Sequence, residues 1–303
     1  VVILPQSYDW DENSKGYTKK VINPAIAYLI PSNAGKVVKV AFEGPTMVRD
    51  MEQDDWSKHV DVYKKIGVGV FSAGIVHVYE DDALIVVEKK NGLLTVPVKA
   101  DSKETTVFSI LKEYVRKQSH RNTVHIVHRL DRETSGLLVF AKSPELQEYM
   151  RTYWRQLVTK RSYVALVEGK LEQNEGKITS WLTEDSRTAL VSSSPVDNGG
   201  QLAITNYKVL KESALQTDEA DLKTEYSLVE LNLETGRTNQ IRVHMASMGH
   251  PVVGDRKYGN GNESSPIDRL CLHARVLEFI HPMTEKKVRF EAPMPKEFAR
   301  IFT

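Results

Sequence analysis

Residues 128–142 read HRLDRETSGLLVFAK, a polar loop that runs directly into an apolar strand. One carboxylate, Asp131, lies within two residues of both Arg129 and Arg132. A surface ion pair of little consequence would explain this spacing, since many exposed ion pairs contribute almost nothing. The alternative is a carboxylate that positive neighbours keep ionised, ready to act as a nucleophile or base. Its position favours the alternative, because catalytic groups concentrate in loops that rigid elements hold in place.

The residues on both sides of this loop predict strands interrupted by a few helices. Two β-branched runs within 75–92, separated by acidic residues, indicate a strand pair. The apolar residues of 106–117 share one helical face, and Ser143 followed by Pro144 indicates the N-cap and first position of a second helix. The apolar stripe of that second helix is expected to be core and comprises Leu146, Met150, Tyr153 and Leu157.

Further along the chain, strand patterns dominate. The run 160–169, KRSYVALVEG, alternates between two faces as a strand does. Residues 174–200 are interpreted as loops between short strands, and the polar segment 211–221 as a loop between two longer ones. A helix is expected from about Asn239 to Met248, followed by a glycine-rich loop and C-terminal strands. Because strands and helices do not alternate regularly, the predicted fold class is α+β, with a largely antiparallel mixed sheet and flanking helices.

The chain is predicted to divide at residue 74. Residues 1–74 carry scattered Pro, Gly and Asn, a β-like run and an acidic segment. We expect them to form a small N-terminal unit, rich in β-structure, for which the sequence indicates no role. Residues 75–303 hold the sharper strand and helix patterns and form the predicted second domain.

Charge narrows the class of protein. The 303 residues carry a net charge of only +1, which argues against indiscriminate binding of nucleic acid. Residues 112–170, however, carry six more basic than acidic residues, and this excess surrounds the loop at Asp131. A basic surface attracts phosphate, although a run of charge is more often only a solvated face.

Two further features bear on where the protein acts. No apolar run approaches the roughly 20 residues that a membrane-spanning helix needs, and the first residues lack the pattern of a signal peptide. The single Cys271 excludes an intrachain disulfide, fits a reducing compartment, and lies in an alternating pattern that predicts a buried thiol. We therefore expect a cytoplasmic protein that does not contact a membrane.

Other catalytic chemistries find weaker support. His125, His128 and Asp131 are spaced three residues apart, but a strand-to-loop segment does not repeat its geometry at that interval, and no Cys or second acid cluster completes a metal site. Ser135 lacks the G-x-S-x-G pattern of a nucleophilic serine. Neither G-x-G-x-x-G after a strand nor GxxxxGK[ST] occurs. No metal and no nucleotide cofactor are predicted.

Three long segments occur together in an order and spacing that resemble one enzyme family: HRLDRETSGLLVFAK, KRSYVAL and TGRTNQIRVHMASMGHPVVGDRKYG. They resemble the RNA pseudouridine synthases, specifically the family that modifies uridines in large-subunit ribosomal RNA and tRNA. Segments near each end of the second domain are similar to that family's first and last strands, so the resemblance covers about residues 75–295. It implies that residues 75–303 are the catalytic domain. Residues 1–74 do not resemble the small RNA-binding module that some relatives carry.

The resemblance implies a set of functional residues. Asp131 matches the family's catalytic aspartate, Tyr163 its active-site tyrosine, and Arg242 the basic residue that pairs with the aspartate. Arg129 matches an arginine that, in some relatives, enters the RNA stack where the target base has left. Other residues in or beside these motifs are expected to bind the substrate: His128, Arg132, Thr134, Arg237 and Gln240.

Two departures from the family pattern concern local geometry. Asn239 stands where the family usually has His, which is expected to alter a hydrogen bond without removing a catalytic group. Glu88 and Lys90 replace the Asn and Pro of a family turn, so the outer loop there is expected to differ in shape.

The implied reaction accounts for the acid among arginines. Isomerisation breaks the C1′–N1 bond of uridine, turns the uracil and rejoins it through C5, which needs an ionised carboxylate beside the sugar but no metal and no cofactor. The uridine must leave the helical stack, while basic residues hold its phosphates. Ribosomal RNA, tRNA or both are the expected partners, and no obligate protein partner is implied.

Two rival functions belong to other classes. An RNA-binding protein that has lost catalysis would keep the basic surface, but Asp131, Tyr163 and Arg242 are all present. A methyltransferase acting on C5 of a pyrimidine would need a glycine-rich cofactor loop or a catalytic Cys, and neither pattern occurs.

Overall fold

The structure is a computed structural model. It describes residues 74–302 apart from 98, 100, 217–222 and 260–264, and in residues 1–73 it describes only the backbone of five short strands.

Those N-terminal strands form two small antiparallel sheets, one of order β1-β4-β5 and one that pairs β2 with β3. Their bounds are β1 Val2–Leu4, β2 Ser7–Asp11, β3 Gly16–Lys20, β4 Ala25–Pro31 and β5 Val37–Glu43. The division of the chain at residue 74 stays a prediction.

An eleven-stranded sheet carries the rest of the fold, in the order β12-β11-β13-β14-β10-β15-β9-β7-β6, with β16 beside β15 and β8 beside β9. Every pairing is antiparallel except β15 with β9, which confirms the predicted α+β class. The strand bounds are β6 Ile75–Glu80, β7 Leu84–Lys89, β8 His125–Ile126, β9 Ser135–Ala141, β10 Val158–Glu168, β11 Glu175–Glu184, β12 Val191–Ser194, β13 Gln201–Gln216, β14 Lys223–Leu233, β15 Leu272–Ile280 and β16 Lys287–Glu291.

Short helices flank this sheet: α1 Val107–Gln118, α2 Pro144–Thr152, α3 Trp154–Leu157, α4 Gln240–Ser247, α5 Lys296–Ala299 and a 3-10 turn at Arg300–Phe302. Helix α1 begins with a capping box between Thr106 and Ser109. Helix α2 begins as predicted, since the Ser143 side chain accepts a hydrogen bond from the Leu146 N–H at 3.2 Å and Pro144 fills the first turn. None of the described helices is long and apolar enough to span a membrane.

The predicted apolar stripe of the second helix is wrong at one position. Met150 and Leu157 are buried, but Tyr153 is 46% exposed and stacks on Tyr149 with ring centroids 5.0 Å apart. The reason is that Tyr153 leaves the helical conformation (φ −100°, ψ 19°) and ends α2. The 3.6-residue period restarts in α3, so a stripe drawn across the break does not stay on one face.

The loops predicted at 174–200 and 211–221 are shorter than expected. Much of 174–200 forms the edge strand β12 and its neighbour β11, and β13 continues to Gln216 before β14 begins at Lys223. Five of the ten residues of β11 are exposed, and its inward positions include Gly176 and Ser180 beside Ile178 and Leu182, so its hydrophobic alternation is weak. The ladder of backbone hydrogen bonds holds these segments in the sheet instead.

Strand β9 links the loop at 128–134 to the core. All seven of its residues are buried, and its first two pair with His273 and Ala274 of β15 in the single parallel contact. Gly136 adopts φ 116°, and a Cβ there would lie 2.2 Å from the Ala274 carbonyl oxygen. Only glycine allows this close crossing. The crossing fixes where the loop before β9 ends.

Candidate active site

An open cleft of about 1150 Å³ lies over the loop that precedes β9. Its walls come from the segments near residues 94–97, 126–134, 147–163 and 233–242. Seven arginines and only two carboxylates line it among the residues described, namely Arg129, Arg132, Arg151, Arg155, Arg161, Arg237 and Arg242 against Asp131 and Glu234. Five of these arginines belong to the basic segment 112–170, and Arg237 and Arg242 join them from another part of the chain, which gives a concave site suited to a polyanion.

Asp131 lies in the cleft with a side chain that is 37% exposed. Its backbone carbonyl accepts a hydrogen bond from the Thr134 N–H at 3.2 Å, which closes a tight turn. Within the described part of the chain, its one ion-pair partner is Arg242, whose Nη1 is 3.6 Å from Asp131 Oδ2. This separation leaves the carboxylate close to a positive charge and accessible from the cleft.

Arg242 is held mainly by a second acid that sequence reasoning missed. Its Nε and Nη2 donate to the two carboxylate oxygens of Asp255, each at 2.7 Å, and Asp255 is 1% exposed. Burial disfavours the charged guanidinium, but the hydrogen bonds and charge of Asp255, with the charge of Asp131, raise the pKa of Arg242 above its usual value. Asp255 follows Gly254 in a polar turn, where the sequence pattern offers no sign of its partner.

Asn239 also contacts the Arg242 guanidinium through a hydrogen bond. Its Oδ1 accepts from Arg242 Nη1 at 3.2 Å, and its Nδ2 donates to the Tyr258 hydroxyl at 2.9 Å. Asn239 adopts a left-handed conformation with φ 53°, which asparagine tolerates better than most residues. The departure from the family's His therefore touches the arginine directly and leaves the arginine in place.

Tyr163 projects from β10 into the same cleft, partly buried and packed against two core clusters. Burial raises the pKa of its phenol, and the charge of Asp131 raises it further, while Arg161 opposes both. The hydroxyl is therefore neutral near pH 7 and able to donate a hydrogen bond. The structure thus brings Asp131, Tyr163 and Arg242 into one cleft.

The loop at 128–134 is fastened from below by the segment 89–95. Lys89 is completely buried, and its Nζ donates to the carbonyls of Lys90 at 3.0 Å, Leu93 at 2.7 Å and Arg132 at 2.8 Å. The Thr95 hydroxyl donates to the Leu130 carbonyl at 2.8 Å. The two residues that flank Asp131 are thereby fixed by their backbones.

Burial lowers the pKa of Lys89 to about 7, against the opposing charges of Glu133 and Asp131. Sequence reasoning missed this lysine because it lies in VVEKKNG, which predicts the end of a strand and a solvated turn. The neighbouring departures take part in the same turn: the Lys90 N–H donates to the Gly74 carbonyl at 2.8 Å, and burial raises the pKa of Glu88.

Two residues predicted to contact substrate are used within the protein. Gln240 is 3% exposed. Its amide oxygen accepts from the Thr235 hydroxyl and the Arg237 N–H, and its amide nitrogen donates to the Ile204 carbonyl and the Thr205 hydroxyl. All of its hydrogen-bonding capacity is consumed, so Gln240 supports the turn that presents Arg237.

His128 also has a structural contact. Its Nε2 accepts from the Val139 N–H at 3.2 Å, and its ring lies 4.9 Å from that of Trp154. Burial, with the charge of Arg161, lowers its pKa to about 3. His128 is therefore neutral at physiological pH and adds no charge for binding phosphate.

The other predicted binding residues differ in how they meet the cleft. Arg129 is exposed at its rim, and Arg237 reaches it while donating from Nε to the Leu202 carbonyl at 3.0 Å. Arg132 turns away from Asp131 and forms a two-bond ion pair with Glu104, in which Nη2 lies 3.0 Å from Oε2. The prediction that the charges of Arg129 and Arg132 lie beside Asp131 is therefore wrong for the ion pairs observed: Asp131 contacts Arg242 instead. Thr134 is 2% exposed, under the surface of the cleft.

Comparisons with known proteins point to one family. The family model described as RNA pseudouridylate synthase matches residues 83–247. The chain is 33% identical to the uncharacterized RNA pseudouridine synthase YhcT of Bacillus subtilis over 86% of this chain and 78% of the relative. It is 35% identical to the ribosomal large subunit pseudouridine synthase D of Zymomonas mobilis over 74% of this chain and 71% of the relative.

Solved structures give the same result. The human protein RNA pseudouridylate synthase domain containing 1 superposes with a TM-score of 0.56 at 26% identity, covering 72% of this chain and 83% of its own. Asp131, Tyr163 and Arg242 all lie within the span that the family model matches. The chain therefore belongs to the RNA pseudouridine synthases, the isomerases that include large-subunit ribosomal synthase D.

Proposed function

We propose that this chain converts specific uridines of structured RNA to pseudouridine, with residues 75–303 as the catalytic domain. The observation that carries the proposal is the accessible carboxylate of Asp131, which faces Arg242 across 3.6 Å in a cleft lined by arginines. The relative from Zymomonas mobilis is a pseudouridine synthase of the large ribosomal subunit, which supports ribosomal RNA as the first substrate to test.

The reaction is an internal exchange of bonds. The C1′–N1 bond of the uridine breaks, the uracil turns, and C5 bonds to C1′. C5 then loses its proton and N1 gains one, so the product has the mass of the substrate. Asp131 either bonds to C1′ while the base turns or balances the positive charge that develops there. No electron is gained or lost overall, and the exchange requires no cofactor.

Arg242 and Tyr163 divide the supporting tasks. Arg242, anchored on buried Asp255, keeps a positive charge beside Asp131 without joining tightly to it. The neutral phenol of Tyr163 lies where an extruded uracil can stack and supplies a hydroxyl for hydrogen bonding. The target nucleotide must leave its stack to reach this cleft, because C1′ and N1 are not accessible in a helix.

The test is incubation of the purified protein with an in vitro transcript of large-subunit ribosomal RNA in buffer without added cofactor. Nuclease digestion and chromatography are expected to reveal pseudouridine of unchanged mass, formed by the wild type and not by Asp131→Asn. Binding of the transcript without pseudouridine would identify an RNA-binding protein instead. In a parallel incubation that contains S-adenosylmethionine as methyl donor, a gain of about 14 mass units would identify a methyltransferase.

A further inference from the structure

Among the arginines that line the cleft, Arg161 is the one that is partly buried and yet has no side-chain partner among the described residues. Arg161 is partly buried on β10, and no residue described by the structure offers it a carboxylate or a hydrogen-bond acceptor. Burial lowers the pKa of its guanidinium, with Arg155 acting in the same direction and Tyr163 opposing. Two other arginines with little exposure have partners: Arg242 is paired with Asp255, and Arg269 with Glu297 and the Ser135 hydroxyl.

The protein keeps space open for this side chain. A Cβ on Gly236 would lie 2.6 Å from Arg161 Nη1, and its three nearest atoms would all belong to that guanidinium. Gly236 does not adopt the left-handed backbone that would itself require glycine. A side chain at position 236 would therefore require the Arg161 guanidinium to move from its present position, so the absence of a Cβ there allows this placement of the cation.

A desolvated guanidinium without a counter-ion is costly, and a buried charge is normally paired. The planar fork of arginine matches two oxygens of a phosphate. Arg161 and Tyr163 are two residues apart on one strand, so they share a face and are separated by about 6–7 Å. A phosphate at Arg161 would therefore belong to the nucleotide on Tyr163 or to its immediate neighbour.

We propose that Arg161 is a binding site for one phosphodiester group of the RNA strand at the target uridine, with Gly236 keeping the guanidinium in position. This rests on the proposed function, since it names the backbone contact of the same substrate. The contact is with the RNA backbone and carries no base specificity.

The first experiment measures binding without turnover. In an Asp131→Asn background, the affinity of a uridine-containing RNA hairpin is compared for Arg161→Gln and for Arg187→Gln, which removes an exposed arginine outside the cleft. We expect Arg161→Gln to weaken binding roughly ten- to a hundredfold and to reduce the log–log salt slope by about 0.7. Arg187→Gln is expected to change neither quantity measurably.

A second experiment locates the phosphate. Hairpins in which single phosphates are replaced by neutral methylphosphonates are bound to the background protein and to Arg161→Gln. We expect one linkage at or next to the target uridine to lose its importance in the Arg161→Gln protein. A purely structural role for Arg161 would give no such coupling at any linkage, and that result would overturn the proposal.

Gly236→Ala tests the position of the guanidinium while leaving its charge. The added methyl group is expected to displace Arg161 and weaken binding in the background protein, but to add nothing to Arg161→Gln. Equal losses in both proteins would overturn the role of Gly236. If wild-type protein makes pseudouridine while the Arg161 variant binds normally, only this inference fails; if wild type makes none, the proposed function fails.

Discussion

Arg242 contacts two carboxylates, Asp131 and Asp255, and the two contacts differ in distance and in burial. Asp255 is 1% exposed and makes two hydrogen bonds of 2.7 Å, whereas Asp131 is accessible and lies 3.6 Å away. A carboxylate in a tight bidentate pair has its oxygens occupied and serves to orient its partner. A carboxylate in a loose contact keeps its oxygens available for chemistry. The same arginine can thus be anchored by one acid and assist the other.

The largest effects on turnover and on stability are expected when each of the two aspartates is replaced by asparagine. Asp131→Asn should reduce turnover at least about a thousandfold, as loss of a nucleophile or base does, while leaving the melting temperature close to that of wild type. Asp255→Asn should lower the melting temperature, because it leaves a buried charge without its partner. The proposed difference between the two acids would be wrong if Asp255→Asn were as stable as wild type and Asp131→Asn kept turnover within about tenfold of the wild-type rate.

Removing the shared arginine should combine both effects. Arg242→Ala leaves Asp255 buried and unpaired, at a cost of about 3–5 kcal/mol in unfolding free energy, and removes the charge beside Asp131. Arg242→Lys should recover part of the turnover but less of the stability, since an ammonium cannot reproduce the two-bond contact with Asp255. Denaturant unfolding and single-turnover rates measure the two separately. A lysine variant that restored stability completely would show that charge, not the planar fork, holds Asp255.

The burial of Lys89 beneath the loop at 128–134 predicts that folding stability depends on pH. Its folded pKa of about 7 lies below the ordinary lysine value of 10.5. Between these values the unfolded chain holds a proton that the folded chain has released, so its contribution to folding stability should rise with pH over this window. Lys89→Met should abolish that rise and lower turnover, because the Arg132 carbonyl loses its donor.

Unfolding free energies of both proteins at several pH values between 7 and 10 would measure this. Parallel curves for wild type and Lys89→Met would mean that Lys89 titrates alike in the folded and unfolded chains. Lys90→Met is the matched control, since Lys90 is exposed beside it.

The smallest effect should come from Arg129, which is exposed and has no ion pair with Asp131. If its guanidinium fills the gap left by the extruded uridine, Arg129→Ala should slow turnover of a folded hairpin about tenfold and of an unstructured strand much less, because unstacking costs a few kcal/mol. Relative rates on the two substrates measure this. Equal losses would indicate that Arg129 acts only through its charge.

Local sequence was sufficient to predict most elements of the fold, and it singled out the loop at Asp131 as a candidate site. Ser143 and Pro144 marked a helix start that the structure confirms, and alternation identified β10. Prediction failed where an element was interrupted, as at Tyr153, or where a strand carried little hydrophobic pattern, as in β11. In each case the missing information was which face meets the core, and local spacing does not contain it.

By itself, the sequence determined the residue types of the site: an acid in a loop among arginines, a tyrosine on a strand, and an arginine on a helix. Tertiary structure alone decided the partners. Arg132, adjacent to Asp131, pairs with Glu104, while buried Lys89 reaches the Arg132 carbonyl across 43 positions. The reason is physical: a side chain's partner depends on which backbone segments pack together and exclude water, so neighbours in sequence can separate and distant residues can meet. Only the tertiary structure shows that the Arg161 guanidinium has no partner among the described residues.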